Sequence, residues 1–95
     1  MDDRLTDFRQ RIEEIDREIV RLLQERVQVA IDIGRIKSSN SLPVADQAWE
    51  EEVMAHVLNT PHAPLDSQSL ETLFLWILTI CRKAQINTHF PSSKE

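Results

Sequence analysis

Apolar residues recur along the first third of the chain at Leu5, Phe8, Ile12, Ile15, Ile19 and Leu22, then at Val29, Ile33 and Ile36. Steps of three and four residues predict one long amphipathic helix with a seam like that of a coiled coil. It is expected to run from about Asp3 to Lys37 or Ser39, a length of about 50 Å that the rest of so short a chain cannot cover. Asp2 and Asp3 suit its N-terminus, and the run KSSNSLP, Lys37 to Pro43, ends it with Ser and Asn that compete for the backbone and a Pro that cannot continue it. Gly34 sits mid-helix, where it costs about 1 kcal/mol relative to Ala, so close approach of another backbone or a ligand is expected there.

The seam is interrupted. Arg26 occupies the position due between Leu22 and Val29, and Lys37 follows within about 20° of it around the helix and about 16 Å along it, so both cations point to one side. Arg26 can be read as a register-setting polar residue whose stem snorkels to water. It can equally be read as half of an anion site, because a charge on an apolar seam is expensive unless something pairs with it.

Asp46 is a natural N-cap for a second, shorter helix through about Leu58, with an apolar face set by Trp49, Val53, Met54 and Val57. At about 100° per residue Glu50 falls inside that face, whereas Glu51 and Glu52 are expected to be solvated. The loop NTPHAPLD, Asn59 to Asp66, leads to a third helix capped by Asp66, over SQSLETLFLWILTICRKAQIN. Its inward face is expected to be Phe74, Ile77, Leu78, Cys81 and Gln85, making it a buried helix closed by an amide. The fold class is therefore all-α with three helices, long, short and medium, in one domain over residues 1–90, and residues 91–95 are expected to be a disordered tail.

Composition narrows the function. At 95 residues a single chain buries a modest core, so help from a partner subunit is expected. A net charge of −5 argues against nucleic acid or an anionic membrane as partner, so any anion must be captured by a local cluster. One cysteine, Cys81, excludes an intrachain disulfide and fits a reducing compartment. The acidic start does not resemble a signal peptide, and LFLWIL is too short to span a bilayer, which points to the cytoplasm. His56, His62 and His89 form no ligand pair at helical spacing, Cys81 reads as a core thiol, and there is no Gly-rich phosphate loop, which disfavours metal, nucleophilic and nucleotide chemistry.

What remains is Arg26, Lys37, Glu50 and Gln85, each an intrusion into an apolar helical face. Arg supplies a fork for carboxylate, Lys a point charge, Gln a neutral donor and Glu an acceptor, a set that suits a small, multiply charged anion bearing one hydroxyl or ammonium. In this order and spacing FRQRIEEIDREIVRLLQERVQVAIDIGRIK, LPVADQAWEEEV and LFLWILTICRKAQ resemble the all-helical class of chorismate mutases over nearly the whole chain.

The resemblance implies an intertwined homodimer with two active sites, a small dicarboxylate substrate and no cofactor or metal. Arg26 would bind one substrate carboxylate, Lys37 the other carboxylate and the ether oxygen, and Gln85 the ether oxygen. Glu50 and the Asp46 backbone would hold the C4 hydroxyl, and Arg9 would come from the other subunit. Independently, Arg9 lies about 25 Å from Arg26 along one straight helix, so the two can share a small ligand only if a second chain supplies one of them. Two positions depart from the family pattern: Trp49 replaces a usual Arg, and Cys81 a small hydroxyl residue. Trp49 removes a positive charge beside C4 and keeps open a C4 ammonium substrate, 4-amino-4-deoxychorismate, which Glu50 could pair and Trp49 face; otherwise Trp49 simply packs on the third helix. Isochorismate-pyruvate lyase and a non-catalytic helical dimerisation or regulatory module are the further alternatives.

Overall fold

The computed structural model of the protein describes residues 2–89 and consists of three α-helices, α1 (Asp3–Ser39), α2 (Gln47–Asn59) and α3 (Ser67–His89), with no strand among the described residues. The expected tail lies outside the described residues, and α3 runs two residues beyond its expected end. Each helix begins on an aspartate, as its sequence calls for. Asp2 accepts the Arg4 N–H at 2.9 Å, Asp46 the Trp49 N–H at 3.1 Å, and Asp66 both the Ser69 N–H at 2.9 Å and the Ser69 hydroxyl at 2.7 Å.

The stop of α1 is made earlier than Pro43. Ser41 adopts a left-handed backbone with φ of 59°, the Leu42 N–H reaches back to the Lys37 carbonyl at 2.7 Å, and the Ser41 N–H reaches Ser38 at 3.1 Å. This closure satisfies the last carbonyls of the helix in a position that glycine usually fills. It also reverses the chain so that the segment entering α2 passes beside Lys37.

α3 is the element against which both other helices pack. Ala30, Ile77 and Cys81 form the buried cluster between α1 and α3, with Val27 and Phe74 packed onto it. Gly34 is buried, and a Cβ placed on it would lie 3.2 Å from Gln85 Cβ and 3.3 Å from Gln85 Cα. The close approach expected at this glycine is thus the backbone of α3. The inward face of α3 is as expected, with Ile77, Leu78 and Cys81 buried and Phe74 and Gln85 half-buried. The helix as a whole is not buried, because Leu73, Leu75, Trp76 and Ile80 on its other side are at least half exposed.

The largest uncovered surface is α1 itself, where every residue from Asp2 to Glu25 is exposed, including the seam residues Phe8 at 69% and Ile12 at 56%. The molecule measures 59 × 35 × 16 Å, so its helices lie in little more than a single layer. Its radius of gyration is 17.3 Å, against about 12 Å for a compact domain of this length. The chain exposes 7667 Å², and a compact monomer of 11.1 kDa exposes about 5,700 Å².

Candidate active site

The C-terminal half of α1, the start of α2 and the second half of α3 converge, and the polar residues that break their apolar faces lie along this convergence. Arg26 is half-buried between α1 and α3 and donates from Nη1 to Cys81 Sγ at 3.0 Å. Its stem lines a cavity of ≈ 140 Å³ with Leu23, Val27, Ile77, Ile80 and Cys81. Lys37, also half-buried, donates from Nζ to the Val44 carbonyl at 3.2 Å. Neither cation has a carboxylate partner among the described residues, whereas Arg4, Arg11, Arg21, Arg35 and Arg82 are all ion-paired. Two half-buried positive charges are thus held by a thiol and a carbonyl, neutral partners that leave room for an anion.

The start of α2 faces Lys37. A cavity of ≈ 330 Å³ is lined by Ile33, Lys37, Asp46, Ala48, Trp49 and Glu52. Trp49, expected on the apolar face of α2 and alternatively as a residue that simply packs on α3, stands 54% exposed beside Lys37. The physical reason is angular. The inward arc of α2 comprises Glu50, Val53, Met54 and Val57, and Glu50 lies near its centre, so Trp49, one residue earlier, is turned about 90° away from that centre. Glu52, expected in open solvent, is exposed yet borders the Lys37 cavity.

Glu50 points inward, as its wheel position implies, and its partner is one the sequence did not reveal. Arg82 on α3 grips it with a two-toothed fork, Nη2 to Oε1 at 2.6 Å and Nε to Oε2 at 3.0 Å. The Glu50 carboxylate holds this guanidinium more firmly protonated than an ordinary arginine, chiefly through those hydrogen bonds. Ala45, Asp46, Gln47, Glu50 and Arg82 line a further cavity of ≈ 300 Å³, so Asp46 borders the spaces on both sides of the α2 start. The available signal for Arg82 was its place next to Cys81 and one helical turn before Gln85, but pairing it with Glu50 needs the packing of α2 on α3.

Gln85 is half-buried at the crossing with Gly34, on the same face of α3 as Cys81. Arg26, Lys37, Asp46, Trp49, Glu50, Cys81 and Gln85 therefore lie along one junction. Arg9 does not join them. It is exposed on the free half of an unbroken α1, about 25 Å from Arg26. Among the described residues no group of three or more His, Cys, Asp or Glu side chains is placed to hold a metal ion.

Against known proteins, the chain matches the family model described as chorismate mutase type II over residues 8–86. It is 32% identical over 85 residues to a bifunctional chorismate mutase/prephenate dehydratase of Stutzerimonas stutzeri, covering 83% of this chain but 23% of that one. A chorismate mutase of Methanocaldococcus jannaschii is 34% identical over 53 residues, 56% of this chain and 54% of that one. The chain thus spans about half or less of the length of these relatives. Among solved structures, form I of the chorismate mutase of Thermus thermophilus superposes with a TM-score of 0.79 at 31% identity, covering 82% of this chain and 98% of that one. The Helicobacter pylori chorismate mutase in complex with prephenate gives a TM-score of 0.84 at 25% identity over 97% of this chain and 100% of that one. With its three helices in the same arrangement and the match running from Phe8 through Ile86, the chain belongs to the chorismate mutase type II family.

Proposed function

We propose that the protein is a chorismate mutase that converts chorismate to prephenate as an intertwined homodimer in the cytoplasm, without a cofactor. The observation that carries this reading is the pair of half-buried cations, Arg26 and Lys37, on one side of α1 with no carboxylate to neutralise them among the described residues. A dicarboxylate supplies the two missing charges. In the [3,3] rearrangement one C–O bond breaks as one C–C bond forms within the same molecule, so no proton, electron or leaving group has to be handled. The site has only to hold the substrate folded and to stabilise negative charge on the ether oxygen as that bond opens.

Arg26 binds one carboxylate; Lys37 binds the other and, with Gln85, the ether oxygen. The Asp46 backbone and Glu50 take the C4 hydroxyl, beside Trp49 and Cys81. The partner subunit's Arg9 completes the site, since Arg9 of the same chain is about 25 Å too far along the helix. The uncovered seam of α1, the single layer of helices and the excess of about 2,000 Å² over a compact monomer all support a second copy. No helix among the described residues is long and apolar enough to cross a membrane.

Purified protein offered chorismate, 4-amino-4-deoxychorismate and isochorismate, with products identified by mass and absorbance, tests the assignment. Chorismate is expected to be consumed, by a species of twice the 11.1 kDa chain mass. By analogy with oxyanion donors, Lys37→Ala lowers kcat by about a hundredfold or more. Near-wild-type turnover in a folded, dimeric Lys37→Ala variant sinks the role given to Lys37.

A further inference from the structure

The Glu50–Arg82 pair is the one ion pair of the described residues that links two helices, and its cation lies outside the set assigned to the substrate. Five other pairs join side chains within four residues of each other on the surface. Glu50 is 23% exposed and Arg82 38%, and both border the ≈ 300 Å³ cavity with Asp46. The carboxylate gives one lone pair of each oxygen to the guanidinium and keeps one on each for a ligand.

The charges around this cavity decide what such a ligand can be. Asp46 carries −1, but its carboxylate caps α2 on the Trp49 N–H and faces the positive end of that helix. Glu50 carries −1 and is matched by Arg82 at hydrogen-bond distance. With Arg82 in place the lining is close to neutral; without it, two carboxylates would face the cavity with one helix dipole between them. A neutral hydroxyl donor loses nothing to the guanidinium, because it needs only a free lone pair on Glu50. An ammonium gives up its hydration and meets attraction from Glu50 offset by repulsion from Arg82 at comparable range.

We infer that Arg82 is a positioning residue for substrate choice: by clamping both oxygens of Glu50 it makes this subsite accept the C4 hydroxyl of chorismate and turn away a C4 ammonium. The inference rests on the mutase reading and deepens it. It also replaces Trp49 as the residue on which that choice turns, since Trp49 faces the Lys37 cavity and not the Glu50 pair.

The test is kcat/KM for chorismate and for 4-amino-4-deoxychorismate, measured on the full-length wild type and on Arg82→Leu, Arg82→Gln and Arg82→Lys. Helix content and dimer mass are checked for each, and Arg82→Gln serves if Arg82→Leu does not fold. Wild type is expected to favour chorismate by about tenfold or more, and loss of the cation to move the ratio toward the amino substrate by about tenfold. Arg82→Lys keeps the charge without the fork and is expected to keep the ratio while losing part of the chorismate activity. Equal losses on both substrates in the neutral variants reduce Arg82 to a packing role and overturn the inference. So does a wild type that prefers the amino substrate. A wild type inert toward both overturns the mutase reading itself, and the inference with it.

Discussion

Gly34→Ala sets two known effects against each other at one atom. In the middle of a 37-residue helix the change from Gly to Ala is worth about 1 kcal/mol in favour of the helix. The added Cβ, however, would stand 3.2 Å from Gln85 Cβ and 3.3 Å from both Gln85 Cα and Cγ. Comfortable carbon contacts lie at about 3.5–4.0 Å. One of the three atoms is backbone and another is fixed to it, so a change of Gln85 rotamer cannot relieve the crowding. α1 and α3 have to separate by a few tenths of an ångström across the Ala30, Ile77 and Cys81 core. Overpacking of this kind costs about 1–3 kcal/mol, which outweighs the helix gain and leaves a net loss of about 1 kcal/mol. The same shift moves Gln85 away from Lys37. A misplacement of 1 Å can cost about a hundredfold in rate, so a few tenths of that predict a fall in kcat of about threefold to tenfold. Urea unfolding at one fixed protein concentration measures the first effect, because the stability of a dimer depends on concentration, and kcat at saturating chorismate measures the second. A variant stabilised by the full helix gain, with wild-type kcat, would show that the two helices do not meet closely at Gly34 and would overturn this prediction.

Three further outcomes are expected. Ile12→Glu places an unpaired carboxylate on the exposed seam of α1 and should weaken dimerisation by about a hundredfold or more, read by sedimentation, with activity lost in parallel; an active dimer of unchanged affinity counts against the seam as the interface. Ser41→Gly relieves the left-handed backbone that closes α1 and should stabilise the protein by up to about 1 kcal/mol in urea unfolding, whereas a loss would mean that the Ser41 side chain contributes there. Hydrogen bonding from Ser69, first from its hydroxyl and then from its N–H, holds the Asp66 carboxyl below its ordinary value near 3.9. The folded state thus releases this proton more readily than the unfolded one, so the contribution is complete above the unfolded value and is lost as pH falls through the folded value. Stability curves of wild type and Asp66→Asn should accordingly run parallel near neutrality and converge below about pH 4, and curves that stay parallel into acid would exclude the linkage.

The free half of α1 shows how so small a chain could complete the proposed site with a second copy. A helix this long places cations about 25 Å apart, and a second copy running past it can bring a distant cation to the first copy's site at no cost in chain length. The same residues that leave the seam bare in one chain, Leu5, Phe8, Ile12, Ile15 and Ile19, are those that the proposed pairing would remove from water.

Local patterning alone determined the three helices and their starts, because helix period and aspartate caps act over a few residues. It also singled out Arg26, Lys37, Glu50 and Gln85, because a charge or amide on an apolar face is visible in one dimension. Gly34 was legible as a close approach, though not as an approach to Gln85. The rest depends on how the helices pack. Whether Trp49 or Glu50 meets α3 depends on the rotation of α2 about its own axis, a difference of about 100° that periodicity does not resolve when an acidic and an aromatic residue are adjacent. Arg82 breaks no sequence pattern, and only the packing of α2 on α3 gives it a carboxylate 32 residues away in sequence. Local physics carries no term for such a pair; it exists only once the helices are assembled.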